Sequence, residues 1–268
     1  MSDTGTARIG INVERQSPKN INTSIATKMN DGKFRNLRGD EIGITLGYYL
    51  AKRNLDPKAI LANSIVSSSA LGKIAVRYNV GFKETLTGFK YLAKVKNMLF
   101  GYEEALGYAV DAEHVNDKDG ISASLILAKI ASELKETGKT FEDYLDQIWD
   151  EIGYHRTSSN SLRFESSAVI PPLVEKLRNS PPKNFGPYQV TALEDLAKPT
   201  GDLPPTNGLR FYLDNQGNPK GIRVIIRPSG TEPKLKVYLE VIGKDSNSKV
   251  QCEKIAQELE AEFTKLKG

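Results

Sequence analysis

Apolar positions along the 268-residue chain switch between helical and strand spacing, and the switches lay out a succession of elements. Ile42, Leu46, Tyr49 and Leu50 recur at helical spacing, with Asp40 ahead of them and Lys52 and Arg53 behind. That pattern predicts a helix capped by Asp40. The run A-I-L-A-N-S-I-V (residues 59–66) predicts a short buried strand, after which Ser67–Ser69 offer caps for a helix through Leu71, Ile74, Ala75 and Tyr78. A strand near 83–86, a T-G-F-K turn, a helix bearing Leu92 and Val95, and a strand at 98–102 follow. From Ile121 a long helical pattern runs to Gly138, and Thr140 with Asp143 caps a second helix carrying Phe141, Leu145, Ile148, Trp149 and Ile152. Trp149 is expected in the core of that helix's apolar face. The alternation of strand and helix is an α/β signature with a parallel or mixed sheet.

The rhythm then changes. Residues 154–205 hold most of the prolines and read as a connector with one helix, near Leu173–Leu177. A strand at 209–213, an N-Q-G-N turn, strands at 222–226 and 235–242, and a helix from about 248 to 266 complete the chain. Leu235, Val237, Leu239 and Val241 alternate with Lys236, Tyr238 and Glu240, which predicts an antiparallel sheet with one buried and one polar face. Residues 14–36 are polar and weakly periodic and read as a loose, disordered arm. The expected fold is α/β: a three-layer α/β domain with a mixed sheet, then a smaller α+β domain whose antiparallel sheet is covered by helices.

Composition narrows the function classes. With 39% hydrophobic and 26% charged residues, the chain fits a soluble globular protein. The net charge of +4 suits anionic small molecules but is too weak and dispersed to argue nucleic acid as a partner. A single cysteine, Cys252, excludes an intrachain disulfide framework and a multi-cysteine metal site. No apolar run approaches about 18 residues, so no membrane span is expected. The N-terminus lacks a basic region followed by an apolar one, so a cytoplasmic location is expected.

The densest chemistry is R-P-S-G-T-E-P-K (residues 227–234), between two apolar strands. Arg227 and Lys234 bring charge, Ser229 and Thr231 bring hydroxyls, and Gly230 lets backbone N–H groups turn inward, a combination suited to phosphate. An ordinary connecting turn remains the competing reading. Glu103 and Glu104 are adjacent, so a strand would point them to opposite faces, whereas a turn between Gly101 and Gly107 could bring both to one ligand. Two carboxylates could then accept from sugar hydroxyls; on the residues alone, solvated surface charges compete with that reading. Lys90 and Lys118 are read as ordinary surface lysines by the same standard, and His114 and His155 are too few for a histidine metal site.

Four stretches in order, G-D-E-I-G (39–43), L-T-G-F-K (86–90) with F-G-Y-E-E-A-L-G-Y (100–108), D-K-D-G-I-S-A (117–123) and R-P-S-G-T-E-P-K, resemble the phosphohexomutases, the alpha-phosphoglucomutase and phosphomannomutase superfamily. Glu-Glu-Ala and Asp-Lys-Asp-Gly are most similar to its phosphoglucomutase-2 or phosphopentomutase-like branch. The resemblance implies a sugar-binding third domain at 38–155, a linker at 156–185 and a phosphate-binding fourth domain at 186–268, with 1–37 a remnant of the second. It implies substrate binding by Glu103, Glu104, Arg227, Ser229, Gly230, Thr231 and Lys234, and makes Lys90 and Lys118 candidates for charge neutralisation and proton transfer. The family transfers a phosphoryl group between a serine and a sugar phosphate through a bisphosphate intermediate. The T-x-S-H-N-P serine motif and the D-x-D-x-D-R magnesium motif do not occur in these 268 residues; A-R-I-G-I-N-V (7–13) resembles the strand after the metal loop, with T-G-T-A where aspartates would stand. No cofactor is therefore expected on this chain, while Mg²⁺ and glucose 1,6-bisphosphate are expected for a complete enzyme. The resemblance implies a hexose phosphate as partner and leaves room for a separate N-terminal half. An inert sugar-phosphate-binding protein, or a half-enzyme active only with that second chain, stays open.

Overall fold

The computed structural model describes residues 9–17, 20–198, 201–230 and 232–267; Thr231 and the whole T-G-T-A segment lie outside them. The chain divides into two compact units, Met1–Ile152 and Gly153–Gly268.

The first unit opens with β1 (Ile9–Ser17), β2 (Asn20–Lys28) and β3 (Phe34–Asn36), a three-stranded antiparallel sheet. This corrects the expectation of a disordered arm. Ile25 is buried, and Thr23 is buried as well, its Oγ1 donating to the Gly120 carbonyl at 2.6 Å. The Ile21 N–H donates to the Lys118 carbonyl at 3.3 Å. Hydrogen bonds thus bury polar side chains that read as solvent-facing in the sequence.

Then come α1 (Gly39–Arg53), β4 (Ile60–Ser64), α2 (Ala70–Arg77), β5 (Gly81–Thr85), the single-turn α3 (Phe89–Leu92), β6 (Met98–Glu103), β7 (Gly107–Ala109), α4 (Gly120–Glu136) and α5 (Phe141–Ile152). The four-stranded sheet has the order β5-β4-β6-β7, parallel through β6, with β7 returning antiparallel. Trp149 is buried on α5, and Thr140 and Asp143 cap that helix reciprocally: the Thr140 N–H donates to Asp143 at 2.8 Å and the Asp143 N–H to Thr140 at 3.1 Å. At α1 the capping prediction is corrected. Arg38 is the N-cap, Glu41 accepts from its N–H at 2.8 Å, and Asp40 lies inside the first turn. Gly39, Gly43 and Gly47, four residues apart, form one face of α1. A Cβ at Gly43 would lie 2.5 Å from the Tyr102 ring and one at Gly47 2.5 Å from Leu71, so this face lets the helix lie directly on β6 and α2.

The second unit contains β8 (His155–Arg163), α6 (Ile170–Asn179), β9 (Asn184–Phe185), β10 (Tyr188–Asp195), β11 (Leu209–Asn215), β12 (Asn218–Pro228), β13 (Lys234–Ile242) and α7 (Lys249–Thr264). Its antiparallel sheet has the order β8-β13-β12-β11-β10-β9. The stretch 156–185 is therefore more than a connector: β8 pairs along its length with β13, and Pro171 and Pro172 begin α6, where missing N–H groups cost nothing. The N-Q-G-N turn carries positive φ at Gln216 (52°) and Gly217 (83°), the geometry of a tight hairpin. Leu235, Val237, Leu239 and Val241 are buried as expected, but Tyr238 and Glu240 on the other face are buried too. Glu240 lies 2.9 Å from His155 Nδ1 and 2.9 Å from Arg223 Nε, so partnered charge replaces solvent there. Among the described residues no helix is long and apolar enough to cross a membrane.

Candidate functional site

Ligands of open α/β sheets bind outside the carboxyl ends of the parallel strands. Here those ends are Ser64 on β4, Thr85 on β5 and Glu103 on β6. Beyond β5 the chain runs through T-G-F-K into α3, and beyond β6 it turns through Glu104, Ala105 and Leu106, the last at φ 61°. The turn geometry needed for two adjacent carboxylates is present, but the two have different surroundings. Glu103 is buried: Oε1 accepts from the Gly88 N–H and Oε2 lies 3.3 Å from Lys118 Nζ. Lys118 crosses Gly107, where a Cβ would sit 2.5 Å from its Cε, and its ammonium lies 5.7 Å from the centre of the Phe89 ring. Glu103 and Lys118 thus tie three loops together at the strand ends.

Glu104 is partly buried. Its Oε2 accepts from Ser64 Oγ at 3.2 Å and Ser67 Oγ at 3.3 Å, and its own N–H donates to Ser67 Oγ at 3.1 Å. Burial first, then the charge of Asp40, then that of Glu103 push its carboxyl up to about 7. Asp40 Oδ1 accepts from the Ser68 N–H at 2.7 Å and from Tyr102 OH at 2.9 Å. Burial, with Asp40 and Glu104, also raises the Tyr108 phenol well above its ordinary value. Asp40, Ser64 and Ser67 were not singled out as site residues from the sequence. Ser68 accepts from the Ala70 N–H at 3.2 Å and so does the local work expected of the serine run, while Ser67 serves the carboxylate.

A carboxyl that holds its proton more tightly when folded destabilises the fold once ionised. That cost is absent below the ordinary value of 4.5 and complete above about 7. Glu104→Gln is therefore expected to stabilise the chain by roughly 2 kcal/mol at about pH 8, allowing for solvent screening, and by almost nothing at about pH 4. Urea unfolding at the two pH values checks this; an equal effect at both would remove the electrostatic cause.

Lys90 takes a different place from Lys118: it is exposed, 5.0 Å from the centre of the Tyr91 ring. In the second unit, Arg227 lies near the end of β12 and Ser229 follows it, its N–H donating to the Lys234 carbonyl at 2.8 Å. Gly230 is exposed, and a Cβ there would meet open space. Lys234 Nζ pairs with Glu232 at 2.6 Å. That contact holds the exposed Glu232 carboxyl below its ordinary range, aided by the charges of Lys234, Arg163 and Lys236. The register pairs Lys234 with Arg163 and Arg227 with Lys236, so four cationic residues share one sheet face beside the loop. The sequence motif named Arg227 and Lys234; Arg163 and Lys236 join them through strand pairing.

Residues 38–152 match the family described as "Phosphoglucomutase/phosphomannomutase, alpha/beta/alpha domain III", and residues 186–260 match its "C-terminal domain". The chain is homologous to the phosphohexomutase superfamily over these two regions. Lys90, Glu103, Glu104 and Lys118 fall in the first phosphohexomutase match, and Arg227 to Lys234 in the second. A Haemophilus influenzae protein named "Probable phosphomannomutase" is 42% identical over 222 residues, covering 83% of this chain and 44% of that protein. Human phosphopentomutase is 32% identical over 277 residues, covering 92% of this chain and 44% of the human protein. The open form of the Paramecium phosphoglucomutase parafusin shares the fold, with TM-score 0.64 at 20% identity over 91% of this chain and 44% of that one. The chain thus spans less than half the length of the phosphohexomutase relatives it matches. Among the described residues no three His, Cys, Asp or Glu side chains are grouped to hold a metal ion. Asp40 accepts from Ser68 and Tyr102, and Glu103 is held by Gly88 and Lys118, contacts that do not fit Mg²⁺ at these two residues.

Proposed function

We propose that these 268 residues supply the sugar-phosphate-binding half of a phosphoglucomutase or phosphomannomutase, an isomerase of the cytoplasm working by phosphoryl transfer. The observation that carries this is the convergence of Glu103, Glu104 and Lys118 at the carboxyl ends of the parallel strands. Both serine contacts of Glu104 fall on Oε2, which leaves Oε1 as the oxygen for a sugar hydroxyl. Glu103 fixes the T-G-F-K turn that carries Lys90, and Lys118 offsets charge at the reacting end of the substrate. Arg227, Ser229, Gly230, Thr231 and Lys234 anchor the other, non-reacting phosphate. Phosphoserine, Mg²⁺ and bisphosphate turnover belong to residues outside this sequence. Glu103-Glu104-Ala105 and Asp117-Lys118-Asp119-Gly120 favour the phosphopentomutase-like branch, in keeping with the human relative.

Titration calorimetry with glucose 1-phosphate tests the reading directly. Binding is expected, and Arg227→Ala should weaken it by roughly 1.5–3 kcal/mol for each charged hydrogen bond lost. Unchanged affinity would remove the loop from the site, and no binding by the unaltered chain would remove the reading as a whole.

A further inference from the structure

Helix α1 approaches the Glu104 turn more closely than any side chain would allow, since a Cβ at Gly39 would fall 1.8 Å from the Glu104 carbonyl oxygen. The Gly39 carbonyl itself accepts from Tyr108 OH at 3.1 Å. The next residue, Asp40, is buried and holds the Ser68 N–H and Tyr102 OH. Ser67 and Ser68 are thus neighbours serving two different carboxylates, Ser67 through its hydroxyl on Glu104 and Ser68 through its N–H on Asp40. We propose that Asp40 is a positioning residue for the sugar site: it fixes the turn whose serine holds Glu104, and its charge couples sugar binding to the protonation of Glu104.

Every element around Glu104 agrees with this assignment. Glu103 on β6 has its charge opposed by Lys118, so it contributes less than Asp40. Glu41, the other acid in the first turn of α1, is matched by Arg35 at 2.8 Å and Arg38 at 2.9 Å. Tyr102 and Tyr108 face the cluster as neutral phenols. Asp40 receives a backbone N–H and the Tyr102 hydroxyl, and after burial its charge is the largest influence on the Glu104 carboxyl. An ionised Glu104 is the stronger acceptor for a sugar hydroxyl, so binding should tighten as pH rises through about 7. The inference rests on the sugar-binding reading above.

The test keeps the two apart. Carboxyl NMR follows the Glu104 titration in the full chain and in Asp40→Asn, and calorimetry then measures glucose 1-phosphate affinity at about pH 6 and about pH 8 in both. The substrate's own phosphate ionisation is common to the two proteins and cancels. In Asp40→Asn the Glu104 midpoint is expected to fall, and the pH 8 to pH 6 affinity ratio to shrink by at least about twofold. In a Glu104→Gln background, Asp40→Asn should leave the ratio unmoved. An unshifted midpoint overturns the coupling whether or not sugar binds; a shifted midpoint with an unchanged ratio overturns the link to binding. Absence of binding in the unaltered chain defeats the sugar-site reading, even with the midpoint shifted. Should Asp40→Asn fail to fold, the unaltered chain still decides: the Asp40 carboxyl resonance must step at the Glu104 midpoint, and a flat response there overturns the proposal.

Discussion

Supplied with Mg²⁺, glucose 1,6-bisphosphate and glucose 1-phosphate, this 268-residue chain alone is expected to form no detectable glucose 6-phosphate. The reading assigns its residues to grip and orientation, whereas phosphoryl transfer also needs a nucleophile held to within about 0.5 Å of its productive position. The phosphoserine motif of the superfamily does not occur in the sequence. The nearest substitute would be the serine run at 67–69, but Ser67 and Ser68 are buried. Ser67 Oγ is 2.8 Å from Ser64 Oγ and is engaged by Glu104 from both its N–H and its carboxylate. The neighbouring Glu104 carboxyl, pushed up to about 7, is assigned to hydroxyl recognition. A coupled dehydrogenase assay gives the answer, run with and without a polypeptide carrying the serine motif. Robust turnover without that polypeptide would show that a nucleophile on this chain had been overlooked. Turnover only with it would identify the chain as the binding half of a divided enzyme.

What the sequence disclosed, and what it withheld, follows the range of the interactions involved. The helices α1, α4, α5 and α7 and the strands β4, β6, β11 and β13 rest on local apolar spacing and were legible at once. The β1–β2–β3 sheet was not, because Thr23 and Thr27 are buried, and Thr23 is held by a carbonyl 97 residues away. Strand β8, H-R-T-S-S-N-S-L-R, reads as polar loop, yet Arg156 is buried against Glu253 and Glu260 of α7. Glu103, Glu104 and Arg227 were named from the motifs that contain them and the family those motifs resemble. Asp40 resembled a helix cap and Ser67 a capping serine, since both residue types are favoured at helix starts. Their partners, Tyr102 and Glu104, lie 62 and 37 residues away, a distance no local pattern spans. The glycine face of α1 was hidden for a related reason: Ile42, Leu46 and Tyr49 satisfy the helical period so fully that the glycines between them look incidental.

That glycine face supports the last expectation, Gly39→Ala. Alanine is the better helix former by about 1 kcal/mol, so on propensity alone the substitution in α1 would stabilise. The tertiary contact opposes it. The added Cβ would lie 1.8 Å from the carbonyl oxygen of Glu104 and 2.7 Å from its carbonyl carbon. Both atoms are backbone, so no rotamer change relieves the overlap, and either α1 or the turn after β6 must shift. Overpacking of that kind costs about 3 kcal/mol or somewhat more, which outweighs the propensity gain and leaves a net loss of about 2 kcal/mol. Because the turn carries Glu104, glucose 1-phosphate binding should weaken beyond what the stability loss accounts for. Gly10→Ala is the matched control: a Cβ there meets nothing within 4 Å, and stability should hold within about 0.5 kcal/mol. Urea unfolding and calorimetry on both variants decide the matter. A Gly39→Ala chain as stable and as tight-binding as Gly10→Ala would mean that α1 can withdraw from the turn at no cost, and the close approach would then have no part in holding the sugar site.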